Sequence, residues 1–223
     1  MAFMPIRERM NALSDKTVGR LSLYRRLLNG LVADGVTHVY SHQLAVLAGG
    51  TAAQVRRDMM AVGYTGSPKR GYDIRELAQS IGAFMDAPEG QGVALIGVGN
   101  LGRAILAYFA GRRPHLAIQA AFDADPYKAN RVIHGCHCYP MTEMDTIAAK
   151  ANIRTAIIAV PATEAQAVAA KLVRAGVRGI LNFAPIRLHL PAEVYVEDID
   201  MTMSLEKVAY FSRKGRAEKE VNS

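Results

Sequence analysis

With 223 residues, half of them apolar, the chain can bury two small cores. No apolar run is long enough to cross a bilayer and no signal-peptide pattern stands at Met1–Arg7, which points to the cytosol; two cysteines, Cys136 and Cys138, exclude a disulfide framework. The net charge of +7 is uneven: residues 1–85 hold 11 Lys and Arg against 6 Asp and Glu, the remainder 16 against 14, so a basic unit suited to a polyanion precedes a nearly neutral one.

Leu21, Tyr24, Leu28 and Leu31, with Leu27 and Val32 widening the stripe, recur at helical spacing and predict a first helix between Thr17 and Asp34, stopped at Gly35. Ser41 is placed to cap a short second helix through Leu47. Gly49-Gly50 makes a turn, and Thr51 caps a third helix from Ala52 to Val62. Two short helices joined by a glycine turn have the layout of a helix-turn-helix. On its second helix Val55, Met59 and Val62 share an inward face, leaving Gln54 and Arg57 to reach bases, Gln suiting adenine and Arg guanine. The hydroxyls of Ser41 and Thr51 and the helix starts they mark suit phosphates. Residues 64–72, turn-rich and basic, predict a β-wing with Lys69, Arg70 and Tyr72 along the DNA backbone; Asp73 then opens a fourth helix through Phe84. A helical bundle with a solvated basic face is the plainer reading. Against it stand four cations between Thr51 and Tyr72, Arg56, Arg57, Lys69 and Arg70, facing the single acid Asp58.

The run Val93-Ala94-Leu95-Ile96 leads into Gly97-Val98-Gly99-Asn100-Leu101-Gly102 and then a helical stretch, and Asp123 closes the next apolar run, Leu116 to Phe122. This is the pattern of a dinucleotide-binding unit. Gly97 permits the tight turn, Gly99 lets the backbone approach a pyrophosphate, and Gly102 lets helix and strand lie close. Asp123 can accept from both ribose hydroxyls, and its charge repels a 2′-phosphate, so NAD(H) is favoured over NADP(H). Thr155 to Val160, a helix from Thr163 to Ala175, and Val177 to Phe183 extend an open parallel sheet. Val160-Pro161 and Asn182-Phe183-Ala184-Pro185 fall at the carboxyl ends of strands, where ligands sit. His134, Cys136, His137 and Cys138 suggest a metal, but no second ligand pair has zinc-like spacing, and a buried strand is the better reading. Leu205, Val208, Ala209 and Phe211 predict an amphipathic terminal helix from Ser204 that packs on something beyond its own sheet.

The stretches Arg20-Leu21-Ser22-Leu23-Tyr24-Arg25-Arg26, Ala53-Gln54-Val55-Arg56-Arg57-Asp58, the glycine loop, Ala121-Phe122-Asp123 and Ile180-Leu181-Asn182-Phe183-Ala184-Pro185 together resemble the Rex family of redox-sensing transcriptional repressors over nearly the whole chain. The resemblance implies an α/β homodimer: a winged-helix DNA-binding domain (1–85), a Rossmann-like parallel-sheet NAD(H)-binding domain (86–200), and a C-terminal helix and tail exchanged between subunits (201–223). It implies repression at palindromic operators, relieved by NADH, with Arg26, Tyr108, Asp200 and Met201 as the allosteric switch: Asp200 pairs with Arg26 when DNA is held and with Tyr108 when NADH is bound. Two departures are visible. Arg57 stands where the family has Lys, and Ser67-Pro68-Lys69-Arg70-Gly71-Tyr72 shifts the cations of the usual wing. An NAD-dependent dehydrogenase with a short N-terminal extension and a nucleotide- or CoA-binding interaction module are the competing readings. Against the first, little chain is left for a substrate domain, and His115, His134 and His189 form no catalytic pattern.

Overall fold

The computed structural model describes residues 13–87, 90–112 and 116–221, with backbone alone over 214–221; Met1–Arg7 and His115 lie outside them. The chain divides into two compact units, Met1–Pro88 and Glu89–Ser223.

In the first unit, α1 (Asp15–Ala33) begins at Ser14, whose hydroxyl accepts the Thr17 amide at 3.3 Å, and it stops before Gly35, which takes φ +76°. The predicted stripe is its buried face: Leu21, Tyr24 and Leu28 are at most 1% exposed. There follow β1 (His38–Val39), α2 (Ser41–Ala48), α3 (Ala52–Ala61), β2 (Tyr72–Asp73) and α4 (Ile74–Met85). Thr51 caps α3 by accepting the Gln54 amide at 3.2 Å, and Asp73 caps α4 by accepting the amides of Arg75 and Glu76. Ser41 does not cap α2. The cap is Tyr40, whose amide is taken by the Gln43 side chain at 2.8 Å, so Ser41 sits in the first turn with its hydroxyl available elsewhere. β1 and β2 pair antiparallel, and a Ser67–Gly71 bridge closes the loop before β2 into a small wing. Leu44, Val55, Met59, Leu77 and Ile81 complete the core, each worth roughly 1.5–3 kcal/mol of burial.

The second unit is a seven-stranded sheet. Its strands are β3 (Gln91–Ile96), β4 (Leu116–Asp123), β5 (Arg131–Ile133), β6 (Cys136–Pro140), β7 (Thr155–Ile158), β8 (Gly179–Asn182) and β9 (Tyr195–Asp198), in the spatial order β5-β6-β4-β3-β7-β8-β9. All pairs are parallel except the edge pair β5–β6. Helices α5 (Asn100–Phe109), α6 (Met144–Lys150) and α7 (Ala162–Arg174) make the crossovers. Alternate residues feed two cores on the two faces of the sheet: Ala94, Ile96, Phe122 and Ile158 in one, Val93, Leu95, Ala121 and Ile157 in the other. Cys136 and Cys138 join the second core, as a buried strand requires.

β7 and β8 are shorter than the apolar runs that predict them: Ala159 and Val160 lie past the end of β7, and Val177 and Arg178 before the start and Phe183 past the end of β8. The terminal helix α8 (Met201–Val221) starts three residues earlier than expected: the Asp200 carboxylate accepts the Met203 amide at 2.8 Å and sets the start. Leu205, Val208 and Phe211 are 69%, 66% and 62% exposed within the single chain. Among the described residues no helix is long and apolar enough to cross a membrane.

Candidate coenzyme cradle and nucleic-acid interface

After visiting β4, β5 and β6 on one side of β3, the chain returns to β7 on the other, so the strand order reverses at β3/β7. In such sheets the crevice outside the carboxyl ends at this point takes ligands. Gly97 leaves β3 at φ +92°, with its amide on the Phe122 carbonyl at 2.8 Å, and a Cβ there would lie 2.6 Å from the Ala159 carbonyl oxygen. A Cβ on Gly102 would collide with the Gly97 carbonyl oxygen, so only glycine lets α5 lie this close to the loop. Gly99 differs from both: nothing stands within 4 Å of where its Cβ would be. The bare backbone of Gly99 therefore faces open space at the start of a helix that carries no side-chain cap, where unpaired amides and the helix dipole favour an anion. These residues fit a pyrophosphate.

At the end of β4 the Asp123 side chain is 10% exposed and closely held. One oxygen accepts the Val98 amide at 2.7 Å and the Lys128 ammonium at 3.2 Å, and the other accepts the Asp125 amide at 2.9 Å. Burial pushes its pKa up, but those two amides and Lys128 outweigh it and hold the carboxyl below its usual value. Asp123 is thus ionised but is not the free carboxylate that its place at the end of β4 suggests. Lys128 lies between it and Asp125, 3.6 Å from the latter. Neither partner carries a signal in the glycine fingerprint; only their place just past the acid could have drawn attention.

Val160 is half-buried and Pro161 exposed, and Pro161 precedes α7 as its cap. Phe183 is half-buried, Ala184 buried and Pro185 exposed. Asn182 is wholly buried and self-contained: its amide nitrogen donates to the carbonyls of Ala184 and Ile186 and to Asp198, and its oxygen accepts the Ala184 amide. It shapes the loop after β8 and ties it to β9, and offers no side-chain atom to a ligand. Pro185, Asp198, Asp200 and Met203 line a cleft of about 240 Å³; Met201 stands outside it, 59% exposed. Tyr108 is 59% exposed, with the Arg112 guanidinium 4.6 Å above its ring. Arg26 is exposed on α1. Among the described residues no group of three or more His, Cys, Asp or Glu could hold a metal ion. Burial lifts the Cys136 pKa to about 11, which keeps it a protonated thiol at neutral pH.

In the first unit, α3 is bound to α1 through one buried carboxylate. Arg20 grips Asp58 with two nitrogens at 2.7 and 2.8 Å, the Tyr24 hydroxyl donates to it at 3.1 Å, and the Gln54 amide donates at 2.9 Å. Burial alone would raise the Asp58 pKa; the bonds from Arg20, Gln54 and Tyr24 reverse this and lower it. The Gln54 oxygen accepts from Arg57 at 2.9 Å, so Gln54 is not the free side chain its helical position implies. It is half-buried and held at both ends, whereas Arg56 and Arg57 are exposed. Arg56 reaches the Ser41 hydroxyl at 3.2 Å. Between α3 and the wing runs a groove of about 560 Å³ lined by Ser41, Arg56, Met60 and Tyr64 among others. The wing is pinned by the Tyr40 hydroxyl donating to the Lys69 carbonyl at 2.7 Å, with Lys69 and Arg70 exposed at its tip. Tyr72 is displaced from its expected role: strand alternation in β2 turns it inward, where it is 7% exposed and forms the floor under Gly66.

Comparison with known proteins agrees with both halves. Residues 12–59 match the family model described as "Putative DNA-binding protein N-terminus", and residues 89–186 match "CoA binding domain". The chain is 37% identical over 202 residues to the redox-sensing transcriptional repressor Rex of Carboxydothermus hydrogenoformans, covering 91% of this chain and 97% of that one. It is 39% identical to the Rex of a Roseiflexus species (92% and 93% covered) and 35% identical to that of Streptococcus pneumoniae (94% and 99%). Among solved structures, that of RSP, a Rex-family repressor, superposes with a TM-score of 0.84 at 29% identity, covering 94% of this chain and 99% of that one. RSP has also been crystallised with β-NAD⁺ and operator DNA, and with β-NADH.

Proposed function

The chain belongs to the Rex family of redox-sensing transcriptional repressors, and from that premise we propose that it represses transcription in the cytosol as a homodimer on palindromic operators and lets go when NADH accumulates relative to NAD⁺. The observation that carries this is the span of the relatives: proteins named as redox-sensing repressors align through both units, 91–94% of the chain, so the open glycine loop and the helix-turn-helix serve one molecule.

The nicotinamide coenzyme supplies the signal, a neutral ring when reduced and a cation when oxidised. Gly97, Gly99 and the start of α5 hold its pyrophosphate, Asp123 its adenosine ribose, and Val160, Pro161, Phe183, Ala184 and Pro185 border the nicotinamide half. Both redox forms share the first contacts, so only the last group can discriminate, and a ligand shifts a two-state equilibrium only by binding the states unequally. A partly apolar border favours the neutral ring. On the DNA side, Arg57 and Gln54 read bases, while Ser41, Thr51, Arg56, Lys69 and Arg70 set the register on phosphates. Exchange of α8 between subunits would bring Asp200 and Met201 to the partner's coenzyme site, with Arg26 and Tyr108 as alternative partners of Asp200; the exposed apolar residues of α8 support that exchange.

A mobility-shift experiment on a palindromic operator tests the reading. Retardation that persists with NAD⁺ and disappears with NADH is the expected result. Equal retardation with either coenzyme, or none at all on any palindrome selected from random DNA, would overturn it.

A further inference from the structure

Asp123 is the residue expected to tell NAD(H) from NADP(H), yet it does not act alone. An ionised carboxylate has about four acceptor positions. The Val98 amide, the Asp125 amide and Lys128 fill three of them, whereas an adenosine ribose diol brings two hydroxyls. Lys128 completes the match. Its ammonium carries three protons, engages Asp123 at 3.2 Å and Asp125 at 3.6 Å, and retains donor capacity on a side chain that is 27% exposed. One hydroxyl can then donate to the remaining Asp123 position while the other accepts from Lys128.

We propose that Lys128, with Asp125, determines specificity at the coenzyme's 2′-position: the three side chains Asp123, Asp125 and Lys128 form a unit of net charge −1 that accommodates a diol and moderates, rather than maximises, the rejection of a 2′-phosphate. The inference rests on the reading of the glycine loop as a dinucleotide site. Its physical content is a charge balance. Removing the ammonium leaves two carboxylates unopposed toward a phosphate carrying about −1.5 to −2 charges, whereas removing the Asp125 charge brings the unit to zero. At half-exposed positions a few ångströms from the phosphate, one unit charge changes the binding ratio by about tenfold. The sign must be opposite for the two changes, which a merely structural disturbance does not produce.

The test is a pair of fluorescence titrations, with NADH and with NADPH, on the full chain and on Lys128→Met, Lys128→Arg and Asp125→Asn. The ratio of the NADPH to the NADH dissociation constant should rise about tenfold in K128M, stay within about twofold in K128R, and fall about tenfold in D125N. Thermal melting of each variant separates loss of the fold from loss of the site. If K128M does not fold, D125N alone still decides the sign. An unmoved ratio in D125N, or one that shifts the same way in D125N and K128M, overturns the inference while leaving NADH binding by the parent chain intact. Failure of the parent chain to bind either coenzyme overturns the dinucleotide reading itself.

Discussion

Replacing Gly99 and Gly102 separately by Ala should divide binding from folding. At Gly102 the new methyl meets the Gly97 backbone carbonyl with the Leu95 side chain 3.6 Å behind, so relief requires α5 to move off β3. Overpacking of this kind costs about 2 kcal/mol, and at about 2–4 °C per kcal/mol for a chain of this size the melting point should fall by roughly 4–8 °C. Gly99 has φ −78° and ψ −162°, extended backbone open to any residue, and an empty surround. Alanine there reduces the freedom of the unfolded chain, worth about 0.4–1 kcal/mol, but is a poorer helix cap by a similar amount, so the melting point should stay within about 3 °C. That methyl nevertheless stands where, on the proposed reading of the loop, the backbone approaches a pyrophosphate, and the loss should exceed about 1.4 kcal/mol, or tenfold in NADH affinity. Circular-dichroism melts and NADH fluorescence titrations measure the two quantities. Wild-type NADH affinity in G99A, or a wild-type melting point in G102A, would refute the reading of the loop.

The Asp58 network should be felt in acid. Because the Asp58 pKa is lowered on folding, its stabilisation is present above the unfolded value near 3.8 and is lost as pH falls below it. Asp58→Asn should therefore cost about 2–3 kcal/mol by urea unfolding at pH 6, a figure discounted from the buried-pair range because the Arg20 side chain is 29% exposed, and the difference from wild type should shrink by pH 3. A pH-independent difference would place the effect in packing instead. The two cysteines should resist a thiol reagent at pH 8 in the folded protein and react once it is denatured, since both are buried and Cys136 is held protonated up to about 11. Rapid reaction of either thiol in the folded state would contradict the depth assigned to β6.

Features that depend on spacing were legible in the sequence. The α1 stripe, the Thr51 and Asp73 caps, the glycine loop and the acid at the end of β4 all follow from local geometry, because a helix period, a capping oxygen and a positive φ each act within a few residues. Features that depend on a partner far along the chain were not. Gln54 sits on the face that reads outward by helical spacing, but Asp58 beside it is bridged to Arg20, 38 residues earlier, and the amide follows. Asn182 ends a strand at the edge where ligands bind, yet Asp198 and two carbonyls claim it. Tyr72 reads as part of a basic wing until pairing with β1 decides which way β2 faces. Lys128 belongs to no motif; it becomes visible once the turn after β4 folds it back onto Asp123.

The tether on Gln54 has a consequence for how a base preference could drift. A glutamine that must be immobilised on contact loses up to about 2 kcal/mol of rotamer entropy at that moment, and here that loss is largely settled when the polypeptide folds. What the side chain shows to the outside is one remaining N–H and one lone pair in a set orientation. Its aim is controlled from α1, where Arg20 and Tyr24 hold the carboxylate that holds it. On the proposed reading of Gln54 as a base contact, substitutions at those two positions, which lie on a different helix, should thus retune which base is favoured without altering any residue of α3.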